Sequence, residues 1–325
     1  MGSNRRKFIK DLALTGTLPI TGSLLAGMGS NPVAYSEPTD VKIGFNLLAW
    51  SATVSEDLDP IIERLAGLGF HGVECAMGAR EAAAYNRFGE RARSLGLGVN
   101  CVLAVGPDTN PVSPSAAVRE KALDEIRWAI DRAASMDARV ICGPFHSAFA
   151  HFTGAPPTDQ EYGWSAGVLQ KAGDHAAQAG ITLALEALNR FECYLCNTMD
   201  QLTFLVNRVS HPSVQAMFDT HHANMEEKKF ATAIAAVSPV LRHVHISEND
   251  RGTPGYGHVP WEETFRSLSE NRYTGWLTIE AFTRNDPDFA NSINVWRNFS
   301  PVWEMAEEGL GFIRKMCDAY RLNYR

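Results

Sequence analysis

Four side chains with metal-binding chemistry recur at the ends of apolar runs in the second half of this 325-residue chain. Three close the stretches Leu183-Ala184-Leu185-Glu186, Ala216-Met217-Phe218-Asp219 and Leu277-Thr278-Ile279-Glu280, and the fourth, His245, sits within His243-Val244-His245-Ile246. Successive members are 33, 26 and 35 residues apart, each about the length of one strand-plus-helix unit. One such acid alone could simply cap a neighbouring helix. Three carboxylates and an imidazole brought to one point repel one another and are costly to bury without a cation. Glu186, Asp219, His245 and Glu280 are therefore expected to bind a divalent metal. Three oxygens and one nitrogen suit Mn2+ best, with Mg2+ or Co2+ as substitutes, and leave positions open for water or substrate oxygens.

The elements that would have to position these groups repeat from residue 41 onward. Strand-like runs at Val41–Leu47, Gly72–Ala76, Val99–Val105, Arg139–Pro144, Ile181–Ala187, Val214–Asp219, His243–Ile246 and Trp276–Ala281 alternate with helical spacing. The helical segments include Asp57–Leu68, Glu81–Ser94, Ala116–Ser135, Gly163–Ala179 and Met199–Val209, with Gly96 and Gly180 as stops. Eight strands in about 280 residues have the size and rhythm of a (β/α)8 TIM barrel. A doubly wound sheet is the competing architecture, but no G-x-G-x-x-G or G-x-x-x-x-G-K-[ST] motif is present. In a parallel barrel the four expected ligands fall on adjacent strands, at the face where active sites are built.

Several segments resemble the ketose 3-epimerases of the D-tagatose/D-psicose type, within the xylose isomerase-like barrel superfamily. Glu186-Ala187-Leu188-Asn189-Arg190-Phe191-Glu192 with Cys196-Asn197 is similar to their fifth-strand signature, and Asp219-Thr220-His221-His222-Ala223-Asn224-Met225-Glu226-Glu227 to their sixth. The stretch from His243 through Glu248, Asn249 and Arg251 to Pro260-Trp261 resembles the seventh, and Val295-Trp296-Arg297 echoes a later element. The likeness covers about residues 41–320 and is densest between 181 and 297. It implies the same four metal ligands, with Glu186 and Glu280 doubling as the acid/base pair. It also implies that Glu192, His222 and Arg251 hold substrate hydroxyls near C1 and C2, and that the protein pairs as a homo-oligomer. Arg251 could instead form a salt bridge to Glu192. The first half departs more from the pattern: Trp50 and Glu74 lie where they could line the pocket, and Phe145-His146 ends the fourth strand.

Moving a proton beside a ketone needs a base, a stabilised cis-enediolate and an acid. Two carboxylates reach both faces of one carbon, which epimerisation requires and aldose–ketose isomerisation does not. The reading is C3 epimerisation of a free ketose. An isomerase or lyase acting on another oxidised sugar (a 3-keto-glycoside, hydroxypyruvate or an inosose) is the alternative. A sugar-binding module without turnover would not need both carboxylates. A metal-dependent endonuclease on the same barrel would need further ligands and a basic groove.

Charge bears on that last choice. The formal net charge is −7, and without residues 1–36, which carry four basic side chains and one acidic, it is −10. No basic footprint marks a nucleic-acid partner, and no phosphate cradle follows the last strands, so the sugar is expected to be unphosphorylated. The run Asn4-Arg5-Arg6-Lys7-Phe8-Ile9-Lys10, followed by the broken apolar stretch Leu12–Met28, reads as a twin-arginine export signal within residues 1–36. That places residues 37–325 as a single catalytic domain in the periplasm, with no membrane segment in the mature form. Cys75, Cys101 and Cys142 lie in apolar runs as free thiols, and Cys193-Tyr194-Leu195-Cys196 lacks a second half for a zinc site. His71, His175 and His211 are expected at the surface or in packing, and Trp128, Trp164 and Trp303 in core or interface. His258 is expected to shape the approach to a helix beginning at Pro260.

Overall fold

Short β-rich runs, each bounded by turn residues, pair side by side until the last returns to the first. The computed structural model describes residues 39–78 and 81–324. Its strands are β1 Thr39–Asn46, β2 Gly72–Ala76, β3 Gly98–Val102, β4 Val140–Gly143, β5 Thr182–Leu185, β6 Val214–Asp219, β7 Leu241–Ile246 and β8 Gly275–Ile279. Every neighbouring pair is parallel, and β1 bonds both β2 and β8, so the barrel is closed. The (β/α)8 architecture expected from the rhythm of the chain is thus present. A two-residue strand, β9 (Leu322–Asn323), adds beside the start of β1. The expected export segment, residues 1–36, lies outside the described residues.

Helices α1 Asp59–Leu68, α2 Ala82–Ser94, α3 Ala116–Ser135, α4 Asp159–Ala179 and α5 Met199–Val209 follow the first five strands. The short α6 Thr220–Glu226 precedes α7 Phe230–Val237, while α8 Trp261–Glu270, α9 Pro287–Ser292 and α10 Val302–Tyr320 complete the outer layer. Helix α4 starts four residues before the expected Gly163. Thr158 and Glu161 form a reciprocal cap in which each side chain accepts the other's backbone N–H. Helix α8 starts at Trp261, one residue after the expected Pro260. Among the described residues no helix is long and apolar enough to cross a membrane.

Alternation along the strands sends one set of side chains outward against the helices and the other into the barrel. Val140, Cys142, Ala184, Met217 and Trp276 form a small apolar cluster within it. At the N-terminal end the indole of Trp276 lies across β1, β2 and β3. A Cβ on Gly44, Gly72 or Gly98 would stand 3.3, 2.5 or 3.1 Å from its ring. Those three glycines make the space for the indole. Higher up, the inward positions at the ends of β5 to β8 are polar, and they form the site.

Candidate active site at the C-terminal mouth

Asp219 ends β6 and caps α6, which starts at the next residue. Its Oδ1 accepts the backbone N–H groups of His221 and His222 at 2.7 and 3.1 Å. Its Oδ2 is left to face His245 Nδ1 at 3.4 Å, and Glu280 Oε1 lies 3.3 Å from the same nitrogen. One ligand atom each from Glu186, Asp219, His245 and Glu280 lies within 4.8 Å of the others, and all four side chains are buried. His245 Nδ1 finds no hydrogen-bond partner among the described residues. A buried ring nitrogen left unpaired against two carboxylate oxygens is a donor arrangement that a divalent cation completes, so these residues fit the expected metal.

Electrostatics separate the four. Burial, then the Glu280 charge, pushes the Glu186 carboxyl well above the usual carboxylate range. Burial would also raise Asp219, but Arg251 and then His222 and His245 hold it well below that range. His245 is raised well above an ordinary imidazole by Glu280 and Glu74, against the opposing effect of its burial.

Arg251 leaves the β7 loop with a left-handed backbone, φ +65°. Its Nη1 donates to Glu280 Oε2 at 2.7 Å and Ser247 Oγ at 2.7 Å, and lies 3.3 Å from Asp219 Oδ2. The salt bridge considered with Glu192 is not formed; the guanidinium turns to the ligand carboxylates, which are nearer and fully buried. Glu192 instead accepts from Asn189 Nδ2 at 2.8 Å, and burial raises its carboxyl. His222 Nδ1 accepts the backbone N–H of Asn189 at 3.1 Å, so the neutral ring carries its proton on Nε2. That N–H lies 3.6 Å from Glu186 Oε1 and 3.0 Å from Arg251 Nη2. Two donors facing each other cannot satisfy one another, and an oxygen acceptor between them would satisfy both. The same tautomer argues against a metal held by Glu192, His221 and His222, although these also cluster.

A cavity of about 340 Å³ opens over Glu186 and Glu280. Glu192, His221, His222 and Arg251 line its polar side, while Leu48, Phe149, Phe282, Phe289 and Phe299 form an apolar wall. Trp50 and Glu74 do not line it. The chain turns into a 3-10 turn at Leu47–Ala49, which aims Trp50 at Phe45 and Trp303, both 5.1 Å away between ring centres. Glu74 lies beneath the site. His71, His175 and His211 stay in packing or surface roles, and the cysteines are free and buried.

Three supporting residues went unassigned in the sequence. His146 donates from Nε2 to the carbonyl of Glu186 at 2.7 Å. Glu248 gathers the β7 loop by accepting from Gly255 N, Val259 N and Trp261 Nε1 at 2.9, 3.1 and 2.9 Å. His221 donates from Nδ1 to the Glu248 carbonyl at 3.1 Å, and burial lowers its pKa to about 4. His146 had only its place at a strand end as a signal, whereas His221 and Glu248 lay inside the family-like segments without an assigned role.

A closed parallel barrel carrying buried acid and imidazole groups at its C-terminal mouth is the frame of a barrel enzyme. The chain belongs to the xylose isomerase-like TIM barrel family, whose model matches residues 62–316, and its relatives include several ketose 3-epimerases. It is 31% identical over 277 residues to a D-psicose 3-epimerase of Agrobacterium fabrum, covering 82% of this chain and 94% of the relative. An L-ribulose 3-epimerase of a Methylomonas species is 31% identical over 226 residues, covering 67% of this chain and 77% of the relative. The solved D-allulose 3-epimerase of Methylomonas in complex with D-allulose superposes with a TM-score of 0.80. That match has 27% identity and covers 86% of this chain and 98% of that one. The chain is accordingly an enzyme of the sugar isomerase/epimerase class.

Proposed function

We propose that the chain is a divalent-metal ketose 3-epimerase acting on a free sugar. The observation that carries this reading is the placement of Glu186 and Glu280, whose carboxylates share one 4.8 Å cluster and both face the cavity. Glu186, Asp219, His245 and Glu280 would hold the ion, and their donor set suits Mn2+ first, then Mg2+ or Co2+. Such an ion, when bound, polarises the ketone and offsets the negative charge that develops beside it.

The chain's own groups account for the rest. One carboxylate takes the proton from C3, and the other returns a proton to the opposite face of the same carbon. Glu186, raised by burial, holds a proton readily and suits the donating role in one direction. His222 Nε2–H and Arg251 Nη2–H converge on one point, where a sugar oxygen near C1 or C2 would be held, and Glu192 would accept a neighbouring hydroxyl. The apolar wall excludes water from the reacting face. The relatives that match most of the chain are named for D-psicose, L-ribulose or ketose 3-epimerisation, which favours a ketose over the other oxidised sugars weighed above.

Incubating the protein and Mn2+ with free ketoses in D2O, followed by NMR, tests the reaction. Deuterium entering C3 with inversion is expected. No exchange on any ketose, for wild type and Glu186→Gln alike, would sink the reading. We also place the enzyme in the periplasm on the strength of Arg5-Arg6 and the stretch after them. Fractionating cells that express the full chain tests this: replacing both arginines with lysine should keep the protein in the cytoplasm, and an unchanged distribution would refute export by this route.

A further inference from the structure

Beneath the four expected ligands lies a second polar layer that the reaction above does not use. Its centre is Glu74, on β2 and fully buried. Three donors converge on its carboxylate: Asn46 Nδ2 at 2.8 Å, Cys142 Sγ at 3.1 Å and His245 Nε2 at 2.8 Å. The Asn46 amide orientation is fixed independently, because its Oδ1 accepts the backbone N–H of Leu48 at 2.9 Å. Its Nδ2 therefore faces Glu74, and it also reaches Glu280 Oε1 at 3.3 Å. His243 Nε2 stands 2.9 Å from the other carboxylate oxygen, off the hydrogen-bonding direction, and packs its ring 5.1 Å from that of His245.

Burial of an unpaired acid this deep in a barrel is expensive, so the carboxylate is there for its partners. An acid ringed by donors acts only as acceptor, which puts the shared proton on His245 Nε2. A metal displaces the second ring proton, so the ring in the loaded site is neutral and keeps the proton on Nε2, which leaves Nδ1, the atom that faces Asp219 and Glu280, bare for the ion. Without Glu74 the ring could carry its proton on Nδ1, or rotate, and in either case the nitrogen lone pair would leave the cluster.

We propose that Glu74 is a positioning residue that fixes the tautomer and aim of His245 for metal binding and, through Asn46, the aim of Glu280. This rests on the metal reading above. A carboxylate behind a ligating imidazole is typically worth about 10- to 100-fold in metal affinity. Glu74→Gln keeps the shape but can present its NH2 to the ring, so it removes the constraint without opening a cavity.

The test uses chelator-stripped full-length protein titrated with Co2+, read by visible absorption and by melting temperature. Wild type is expected to bind with a defined ligand-field band. Glu74→Gln, melting like wild type without metal, is expected to bind about 10- to 100-fold more weakly with a shifted band. Equal affinity and an unchanged band in that variant would overturn the proposal while leaving the metal reading intact. Failure of wild type to bind Co2+, Mn2+ or Mg2+ would overturn both. Should the variant not fold, 15N NMR of the histidine rings in Mg2+-loaded wild type, with His245 assigned by its loss in His245→Asn, decides the matter. A proton on Nε2 supports the proposal and one on Nδ1 refutes it.

Discussion

Arg251 Nη1 lies 2.7 Å from Glu280 Oε2 and 3.3 Å from Asp219 Oδ2, so a protein cation already touches two of the expected ligands. The contact is buried, and Arg251 makes it from a left-handed backbone that a non-glycine side chain seldom adopts. Strain of this kind persists where surrounding bonds over-determine the position. Here the backbone N–H of Arg251 donates to the Glu248 carbonyl at 3.0 Å, and its own carbonyl accepts from Phe282 N at 3.0 Å.

Removing that cation leaves two buried acids short of a partner. Arg251→Ala is expected to lower stability by about 3–5 kcal/mol, with part of the loss recovered on adding Mn2+. Arg251→Lys should rescue little, since one ammonium cannot reproduce contacts to Glu280, Ser247 and Asp219 together. Chemical denaturation with and without Mn2+ measures both, and a variant as stable as wild type in chelator would contradict the argument.

Neutralising either of the two carboxylates proposed to move the proton should cut turnover without unfolding the barrel. Glu186→Gln and Glu280→Gln are each expected to lose about 10²- to 10⁴-fold or more in kcat. Initial rates of C3 inversion on the best ketose provide the measure. A loss confined to KM would assign the altered residue to binding alone.

Metal should stabilise the fold as well as enable the reaction. Raising free Mn2+ to about a hundred times its dissociation constant is expected to add about 2.7 kcal/mol. His245→Asn, which removes the unpaired Nδ1, should flatten that response. Thermal melts in EDTA and in graded Mn2+ compare the two proteins, and equal responses would argue that the ion binds elsewhere.

His146 gives the fold a sensitivity to acid. Its Nε2–H donates to Glu186 O, its Nδ1 lies 3.1 Å from Ser147 Oγ, and burial lowers its pKa from 6.5 to about 4. Between those values the unfolded chain holds the proton and the folded chain does not. Stability therefore declines as pH falls from 6.5 toward 4 and is fully retained above that window. The contribution is roughly 3 kcal/mol, because a tenfold change in proton affinity corresponds to about 1.4 kcal/mol. His146→Gln keeps a donor for the carbonyl and should shallow the slope; parallel denaturation curves across this range would exclude His146 as its source.

Gly72 tests the closed end of the barrel. A methyl there would stand 2.5 Å from the Gly98 carbonyl oxygen and 2.5 Å from the Trp276 ring. Gly72→Ala is expected to cost about 1–3 kcal/mol, with little change in KM because the cavity lies at the opposite end. An unaltered melting temperature would show that the strands there yield more readily than their packing implies.

The sequence was most readable where one residue type met one strand end. Glu186, Asp219 and Glu280 announced themselves because a parallel barrel repeats its strand ends once per unit, and the structure brings them together with His245. Depth was not readable. Alternation sends Glu74 inward, as it sends Glu280, but only the register Asn46–Glu74 sets it beneath the cavity rather than beside it. Partner choice was hidden too, since the Arg251 guanidinium sits among several acids and distance alone decides between Glu192 and Glu280. Trp50 was misplaced because a three-residue 3-10 turn after β1 redirects the chain, and no apolar periodicity announces a turn that short.

The indole of Trp276 also governs traffic. With one end of the cylinder stopped, a sugar that reaches the carboxylates must leave by the route it came. Substrate and epimer therefore queue at a single doorway, and each excludes the other from the same vestibule.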